Sequence, residues 1–308
     1  MLKIKFLGVE FENPTVLASG IYPTAANALL QAVNNGAGGV TTKSIWLTEH
    51  KGHPAPTLIT NANFTINAVG LSDHGVDVSG KEILAYKEKI AADSKKAPII
   101  VSVVAGTKAD FGLIAEKISV YNPDIIEVNI SCPNVESEFG KPFSCDKMDA
   151  AEVTKNVKAR TKLPVIIKLS PNVLNISEIA KAVADAGTDG FCAINTLGPG
   201  MIIDLEKRTP FLSNKVGGVS GPGIKPIAVR CVYDIYKATK LPILGMGGVV
   251  SGKDAIEIMM AGAGLIGLGA AIYMRGPTAF KLVADEMAEW MASHGVKDLT
   301  EIIGVVQV

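Results

Sequence analysis

A thiol, several amides and two ammonium groups lie at the ends of apolar runs in this sequence. Residues 127–135 read EVNISCPNV, in which Cys132 lies between Asn129 and Asn134. A thiolate can act as a base or a nucleophile, whereas a thiol buried in apolar surroundings is inert. Pro133 ends the strand-like run directly after Cys132, so we expect this thiol in a loop, where functional residues concentrate.

The other three cysteines are weaker candidates. Cys145 follows in the same loop as Cys132, and spacing alone does not rank these two thiols. Cys192 lies in an apolar run and Cys231 in a helical stretch, so we interpret both as packing residues. The absence of a CxxC pair is typical of reduced thiols in a cytosolic protein.

The histidines in the first part of the chain do not predict a metal site. His50, His53 and His74 lack HxH or HxxxH spacing, and no carboxylates accompany them in a ligand pattern. We therefore predict that the protein holds no metal ion.

Eight short aliphatic runs, most of them separated by helical patterns, indicate a parallel sheet. The runs are near-continuously apolar and rich in Val and Ile, as expected for strands covered on both faces. In the helical pattern 176–187, Ile176, Ile179 and Val183 share one face and Gly187 ends the helix. Eight units favour a closed (β/α)₈ barrel, the TIM barrel fold, over an open sheet. The runs are residues 14–20, 38–44, 97–106, 124–131, 164–170, 190–196, 241–249 and 264–272.

Three connections are too long for ordinary barrel loops. Residues 45–80, 133–148 and 197–223 each follow a strand, so we expect them to project from the face at the carboxyl ends of the strands. Barrel enzymes carry their active sites on that face. No low-complexity linker divides the chain, and we predict one domain, residues 1–308, with these insertions.

Four polar side chains are predicted to converge on that face. Side chains alternate along a strand, and the alternation aims Lys43, Asn129, Lys168 and Asn195 into the barrel. Any one of them could instead cap a strand end, but this is a weaker explanation for all four. A lysine inside an apolar barrel needs an anionic or acceptor partner. Because these strands hold fewer carboxylates than lysines, we interpret a bound ligand as that partner.

Two glycine-rich segments after the seventh and eighth strands predict a phosphate site. Residues 245–249 read GMGGV and residues 267–271 read GLGAA, and each precedes a helical pattern. Glycine lets backbone N–H groups approach a phosphate closely, and the start of a helix adds a favourable potential. Glycine pairs also occur in ordinary turns, so it is their position after the last two strands that indicates a phosphate site.

The composition argues against several classes of protein. The chain has 308 residues, 48% hydrophobic and 19% charged, and its 30 basic and 30 acidic side chains balance. Binding to nucleic acids or anionic membranes would require a clustered positive excess, which nothing here indicates. The chain start alternates like a strand, and no apolar run approaches the roughly 18 residues of a membrane helix. We expect a soluble, cytoplasmic protein.

Together these motifs resemble class 1 dihydroorotate dehydrogenases, which are FMN enzymes of pyrimidine biosynthesis. The resemblance extends over essentially the whole chain, and its specific parts are NISCPNV and the pair formed by Lys43 and NAVGL. The matching segments are LASG (17–20), TTKS (41–44), NAVGL (67–71), NISCPN (129–134), IKLSPN (167–172), INT (194–196), GGVSGPGIKP (217–226), GMGGV (245–249) and GLGAA (267–271).

The resemblance implies a reaction and a role for Cys132. In that family a base removes a proton from C5 of dihydroorotate while C6 passes a hydride to flavin N5, which yields orotate. In class 1 the base is the cysteine of this motif, and a thiol pKa of about 8.5 suits a base working near neutral pH. The residues implied as substrate contacts are Lys43, Asn67, Gly70, Leu71, Asn129, Asn134, Asn195 and Thr196.

The resemblance also implies an FMN site. Lys168 would lie near flavin N1 and the C2 carbonyl, where its charge would stabilise an anionic ring. The later glycines would hold the phosphate. The residues implied as FMN contacts are Ala18, Ser19, Gly20, Lys43, Ser44, Asn129, Lys168, Gly221, Gly247, Gly248, Gly269 and Ala270.

Within class 1, the runs 211–229 and 240–249 look more like the type B catalytic subunit than like type A. Type B passes electrons to NAD through an iron–sulfur flavoprotein that carries FAD and a [2Fe–2S] cluster, whereas type A is a homodimer that uses fumarate. We expect a homodimer or a heterotetramer with such a partner, with FAD and the cluster on the partner only. The insertion VESEFGKPFSCDKMDA (135–150) closely matches neither type and leaves the acceptor open.

Two other interpretations remain at this point. A dihydropyrimidine dehydrogenase-like flavoenzyme would act on rings that lack the carboxylate. A flavin-free barrel aldolase would use Lys168 or Lys43 as a Schiff base.

Overall fold

A computed structural model describes residues 2–93, 95–131 and 141–307. Strands and helices alternate along most of this length, as the repeated apolar runs predict. The strands, numbered along the chain, are β1 (Ile4–Phe6), β2 (Val9–Phe11), β3 (Thr15–Leu17), β4 (Gly39–Thr41), β5 (Leu58–Thr60), β6 (Thr65–Asn67), β7 (Ile99–Val103), β8 (Ile125–Asn129), β9 (Val165–Leu169), β10 (Gly190–Ala193), β11 (Leu197–Gly200), β12 (Ile203–Asp204), β13 (Thr209–Pro210), β14 (Gly217–Ser220), β15 (Ile243–Met246) and β16 (Leu265–Leu268). The helices are α1 (Ala26–Asn34), α2 (Val76–Ala92), α3 (Lys108–Ser119), α4 (Lys147–Lys158), α5 (Ile176–Asp185), α6 (Lys225–Thr239), α7 (Gly252–Ala261), α8 (Ala270–Arg275) and α9 (Ala279–His294).

Eight parallel strands close into a barrel, in the order β3, β4, β7, β8, β9, β10, β15 and β16, and β16 pairs back with β3. Each barrel strand falls within one of the eight predicted apolar runs, so the predicted (β/α)₈ TIM barrel is confirmed. Every residue of β7, β8 and β9 is buried. Apart from Ser102, Glu127, Asn129 and Lys168, their side chains are apolar, because barrel side chains cover one face and helices the other.

Helix α5 follows its predicted pattern closely. Ile176, Ile179 and Val183 are buried on one face, where they join the main apolar core. Gly187 adopts φ +95 after the last turn, a conformation that glycine enters without the steric cost of a side chain. The predicted helix end is therefore confirmed.

Two of the three predicted insertions fold against each other. Strands β5 and β6 of the first insertion (45–80) and β11 and β14 of the third (197–223) form one antiparallel sheet, in the order β11–β14–β6–β5. Ile66, Ala68 and Leu212 form a small apolar cluster of their own in this sheet. A short hairpin of β12 and β13 extends from the third insertion. The sheet stands over the carboxyl ends of the barrel strands, on the face where the insertions were expected.

The start of the chain forms a hairpin instead of the single strand that its alternation suggests. Strands β1 and β2 pair antiparallel, and Leu7 and Gly8 between them both have positive φ, 50° and 85°. Two such residues make the tight turn that suits the twist of a hairpin. Phe6 and Phe11 join the main core from this hairpin. In the part of the chain that the model describes, no helix combines the length and apolarity needed to cross a membrane.

Candidate active site

A large cavity opens at the carboxyl ends of the barrel strands, beneath the antiparallel sheet of the insertions. Its empty volume is about 1200 Å³, including its open mouth. Every predicted site residue within the described ranges lines it: Ala18, Ser19, Gly20, Lys43, Ser44, Asn67, Gly70, Leu71, Asn129, Lys168, Asn195, Thr196, Gly221, Gly247, Gly248, Gly269 and Ala270.

The four polar side chains chosen by strand alternation all reach this cavity. Asn129 ends β8 and Lys168 lies at the paired position of β9, and both residues are 5% exposed. Lys43 and Asn195 each lie two residues beyond the end of their strand, β4 and β10. The barrel therefore brings together residues that are up to 152 positions apart in the chain, the separation of Lys43 and Asn195.

An amide network fixes the orientation of the two asparagines. Asn195 Nδ2 donates to Ser131 Oγ at 2.9 Å and to Asn129 Oδ1 at 3.3 Å. Asn129 Nδ2 donates to Ser44 Oγ at 2.9 Å, and the Thr196 N–H donates to Asn195 Oδ1 at 2.8 Å. Because each amide is anchored by defined donors and acceptors, the site presents preset hydrogen-bonding groups to a flat polar ring.

Lys43 is held by the segment that follows NAVGL. Its Nζ donates to Ser72 Oγ at 2.8 Å. Burial lowers the pKa of Lys43, and the nearby Asp73 carboxylate opposes that shift. Asp73 is itself fixed, because its carboxylate accepts from the Gly75 N–H and the Ser79 hydroxyl at 2.7 and 3.1 Å. A positioned, partly dehydrated ammonium of this kind suits an anionic group on a ligand.

Lys168 has a carboxylate partner that the sequence interpretation missed. Its Nζ lies 3.6 Å from Oε1 of Glu127, and the Glu127 side chain is fully buried. The inference that both lysines take their partner from a ligand is therefore wrong for Lys168. Glu127 is two residues before Asn129 in β8, so the alternation that identifies Asn129 also aims Glu127 inward.

Glycines allow the backbone after β15 to pass close to helix α6 while lining the cavity. Gly247 and Gly248 have φ of +125° and +79°. A Cβ on Gly247 would lie 2.7 Å from Cβ of Ala228, and one on Gly248 would lie 2.7 Å from Cβ and N of Lys225. Gly221 on the same rim also has positive φ, +90°. A rim of glycine backbone offers N–H groups without obstructing side chains, as a phosphate requires.

Only one of the two glycine segments runs directly into a helix. Gly269 and Ala270 both line the cavity, and α8 begins at Ala270. After Gly248, in contrast, α7 begins only at Gly252, whose N–H donates to Glu286 at 2.6 Å. Ser251 and Asp254 close the same helix start in a capping box. Acceptors within the protein therefore already bind the Gly252 and Asp254 N–H groups, and the phosphate contacts predicted for this segment rest on Gly247 and Gly248.

The cavity residues fit FMN by their chemistry. The glycine rim is a cradle that side chains would fill, and it suits the phosphate. Lys168 offers a cation at the cavity floor, and the apolar side chains of Ile194, Ile224, Met246 and Val249 offer surface for a flat ring system. Tyr273, Thr65 and Ser220 also line the cavity and were not identified from the sequence. Thr65 and Ser220 lie in strands of the insertions and Tyr273 lies in α8. The sequence shows no hydrophobic periodicity there that would identify a site residue.

The described cysteines differ in exposure: Cys145 is exposed, whereas Cys192 and Cys231 are buried. Cys132 and Asn134 lie outside the described residues, and their roles remain predictions. Cys145 is exposed in a 3₁₀ turn, Phe143–Cys145, and is not among the residues that line the cavity. Cys192 and Cys231 are buried, so their interpretation as packing residues is confirmed. Burial raises the pKa of both thiols, that of Cys231 to about 11.

The histidines of the first insertion have structural contacts. The His50 ring stacks on Trp46 with ring centroids 4.7 Å apart. Within residues 2–93, 95–131 and 141–307, no group of three or more His, Cys, Asp and Glu side chains is arranged to hold a metal ion.

The fold and site define the chain as a (β/α)₈-barrel protein with a ligand cavity that suits a phosphate-bearing cofactor and a small polar ring. It belongs to the dihydroorotate dehydrogenase family: the family model "Dihydroorotate dehydrogenase" matches residues 1–291. The predicted family resemblance is confirmed.

Two relatives show how far the similarity extends. The chain is 40% identical over 305 residues to a protein of Pyrococcus horikoshii and 42% identical over 305 residues to one of Methanocaldococcus jannaschii. Both are named dihydroorotate dehydrogenase B (NAD(+)), catalytic subunit. The alignments cover 99% of this chain in each case, and 97% and 98% of the respective relatives.

Proposed function

We propose that the chain catalyses the FMN-dependent oxidation of (S)-dihydroorotate to orotate, a step of pyrimidine biosynthesis. The observation that carries the proposal is one cavity in which Lys43, Asn129, Lys168 and Asn195 meet a rim of glycine backbone. Membership of the dihydroorotate dehydrogenase family supports the reaction. A packing role alone would leave this convergence of polar groups unexplained.

The cofactor half of the cavity would be formed by its glycine rim and floor. Gly221, Gly247, Gly248 and Gly269 would hold the FMN phosphate with backbone N–H groups. Lys168 would hold a positive charge beside the ring and favour negative charge on it. Further contacts would come from Ala18, Ser19, Gly20, Ser44 and Ala270. When bound, FMN supplies the hydride-accepting chemistry of the reaction.

The substrate half would be formed by amides and one ammonium. Asn67, Asn129 and Asn195 offer donors and acceptors for a flat pyrimidine ring, and Lys43 offers a cation for its carboxylate. Gly70 and Leu71 would add backbone contacts, and the Leu71 carbonyl is anchored by the Trp46 indole N–H at 2.9 Å. Thr196 and Asn134 complete the proposed set. Cys132 would remove the proton from C5, as the motif implies.

The flavin and the substrate can be tested on the purified chain. We expect a yellow protein with flavin absorption bands, which bleach when dihydroorotate is added without oxygen. A protein that stays colourless after incubation with FMN would contradict the proposal and favour the flavin-free aldolase. Bleaching by dihydrouracil and not by dihydroorotate would instead indicate a dihydropyrimidine dehydrogenase-like activity.

We further infer that electrons leave the chain for NAD through an iron–sulfur flavoprotein partner carrying FAD and a [2Fe–2S] cluster. The names of the relatives support this, since they specify the B type, NAD(+) and a catalytic subunit. The chain would then act in the cytoplasm as a homodimer that binds two partners, a heterotetramer.

The electron acceptor has its own test. We expect the isolated chain to oxidise dihydroorotate with artificial dyes but to reduce NAD poorly, because NAD would react at the partner. Steady-state assays with dihydroorotate and a panel of NAD, fumarate and a dye would measure this. Turnover with fumarate that matches the dye rate would overturn the type B assignment while leaving the dehydrogenase activity intact.

A further inference from the structure

Glu127 is a fully buried carboxylate to which the proposed reaction assigns no task. Its Oε1 accepts from Ser102 Oγ at 2.8 Å and lies 3.6 Å from Lys168 Nζ. Among the described residues, its Oε2 has no hydrogen-bond partner. Carboxylates are almost never fully buried unless they are paired, because burial costs the charged form its hydration. The position of Glu127 therefore requires an explanation in terms of charge.

The charge opposite Glu127 is that of Lys168. The exposed fractions of the two side chains are 0% and 6%, so water screens their attraction only weakly. Lys168 also lines the cavity, whereas Glu127 is not among the lining residues. The ammonium is thus shared between a carboxylate inside the barrel and whatever ligand the cavity holds.

The surroundings of Glu127 connect it to the rest of the site. Ser102 Oγ is 2.9 Å from Ser44 Oγ, which accepts from Asn129 Nδ2 at 2.9 Å. The Cys192 thiol is a further neighbour: burial raises its pKa, the charge of Glu127 and a hydrogen bond to that carboxylate add to the shift, and Lys168 opposes it. Apart from Lys168, these neighbours are neutral groups, so Lys168 is the neighbour through which the charge of Glu127 can act.

We propose that Glu127 is a positioning residue that holds Lys168 and offsets part of its charge, and so lowers the reduction potential of the flavin. This inference rests on the proposed function, because it needs FMN in the cavity. An uncompensated ammonium beside the ring would favour the reduced, anionic flavin and retain the electrons. The carboxylate behind the ammonium weakens that preference, which suits a chain that must pass its electrons on.

The test is the reduction equilibrium of FMN bound to the Glu127→Gln variant. Glutamine keeps the shape and can still accept from Ser102, so the variant removes mainly the charge. The readout is the flavin absorbance at equilibrium with a redox dye of known potential, at pH 6.5. We expect the equilibrium constant for flavin reduction to rise about tenfold, which corresponds to about 30 mV for a two-electron couple.

Two further variants separate charge from structure. Lys168→Met should lower the same constant, and Glu127→Gln in that background should lose most of its effect, because Glu127 acts through Lys168. Glu88→Gln removes an exposed carboxylate from α2 and should leave the constant unchanged. An equilibrium constant that stays the same or falls in Glu127→Gln, or an effect that persists fully without Lys168, would overturn the inference.

Glu127→Asp keeps the test decisive if Glu127→Gln does not fold. Aspartate retains the charge but, being shorter by one methylene, holds it farther from Lys168. We expect the equilibrium constant for flavin reduction to rise about threefold. An unchanged constant in this variant would also overturn the inference. A wild-type protein that binds no FMN would refute the proposed function itself, whereas a yellow protein with unshifted variants would refute only the role of Glu127.

Discussion

Cys132→Ser is expected to slow the reduction of bound flavin by dihydroorotate by about 10²–10⁴-fold near neutral pH, the usual contribution of a general base. A free thiol has a pKa of about 8.5, so part of it is thiolate near neutral pH, whereas a serine hydroxyl stays protonated. Stopped-flow absorbance of the flavin measures the rate directly. The FMN content of the variant should equal that of the wild type, because no FMN contact is assigned to this residue.

Cys145→Ser is the matched control for this prediction. Cys145 lies in the same insertion but is exposed and does not line the cavity, so its loss should leave the rate of flavin reduction unchanged. A wild-type rate in Cys132→Ser together with a slow Cys145→Ser would assign the reaction to the other thiol. The prediction rests on the NISCPN motif, because Cys132 lies outside the described residues.

Gly248→Ala is expected to weaken FMN binding by about 10- to 100-fold, the cost of losing one charge-assisted hydrogen bond to a phosphate. The added Cβ would lie 2.7 Å from the backbone N of Lys225 and would occupy a φ of +79°. Lys225 cannot easily move away, since it begins α6 and its Nζ is bound to Asp254 and Glu257, both at 2.7 Å. The glycine rim would therefore shift and misplace its N–H groups. Fluorescence titration of the apoprotein with FMN measures the affinity.

Gly187→Ala separates the effect of the rim from backbone strain. Gly187 also has positive φ, +95°, but a Cβ there would meet nothing within 4 Å, and the residue lies outside the cavity. Both variants should lose on the order of 1 kcal/mol of stability from the φ alone, visible as a lower Tm. Only Gly248→Ala should lose FMN affinity. Equal FMN affinities in the two variants would show that the close approach of Gly248 to α6 does not position the phosphate site.

The site residues on strands were the most predictable part of the site. Alternation along a strand follows from backbone geometry alone, and it placed Asn129 and Lys168 correctly. The same rule aims Glu127 into the barrel as well, although the prediction named only lysines and amides. Lys43 and Asn195 lie just beyond their strands but still beside the barrel, since the Thr42 N–H donates to Ile100 O at 3.1 Å and the Asn195 N–H to Leu169 O at 3.0 Å.

Residues outside the regular elements were predictable only through the family resemblance or not at all. Asn67 ends the short strand β6, and Gly70 and Leu71 follow it, in an insertion whose apolar pattern has no clear period. Thr65, Ser220 and Tyr273 line the cavity without any local mark in the sequence. The hairpin at the chain start was also missed, because its turn, Leu7–Gly8, is not one of the strong turn pairs such as Asn-Gly.

The sequence by itself determined the eight strands, the closed barrel, and the face on which the site lies, because these depend on local periodicity and on the count of repeating units. It also carried the family motifs. Only the tertiary structure decided that the insertions 45–80 and 197–223 pair into one sheet over the cavity, and that Glu127 lies against Lys168. Pairing between distant segments and the distance between two side chains depend on the packing of the whole chain. No local pattern encodes them.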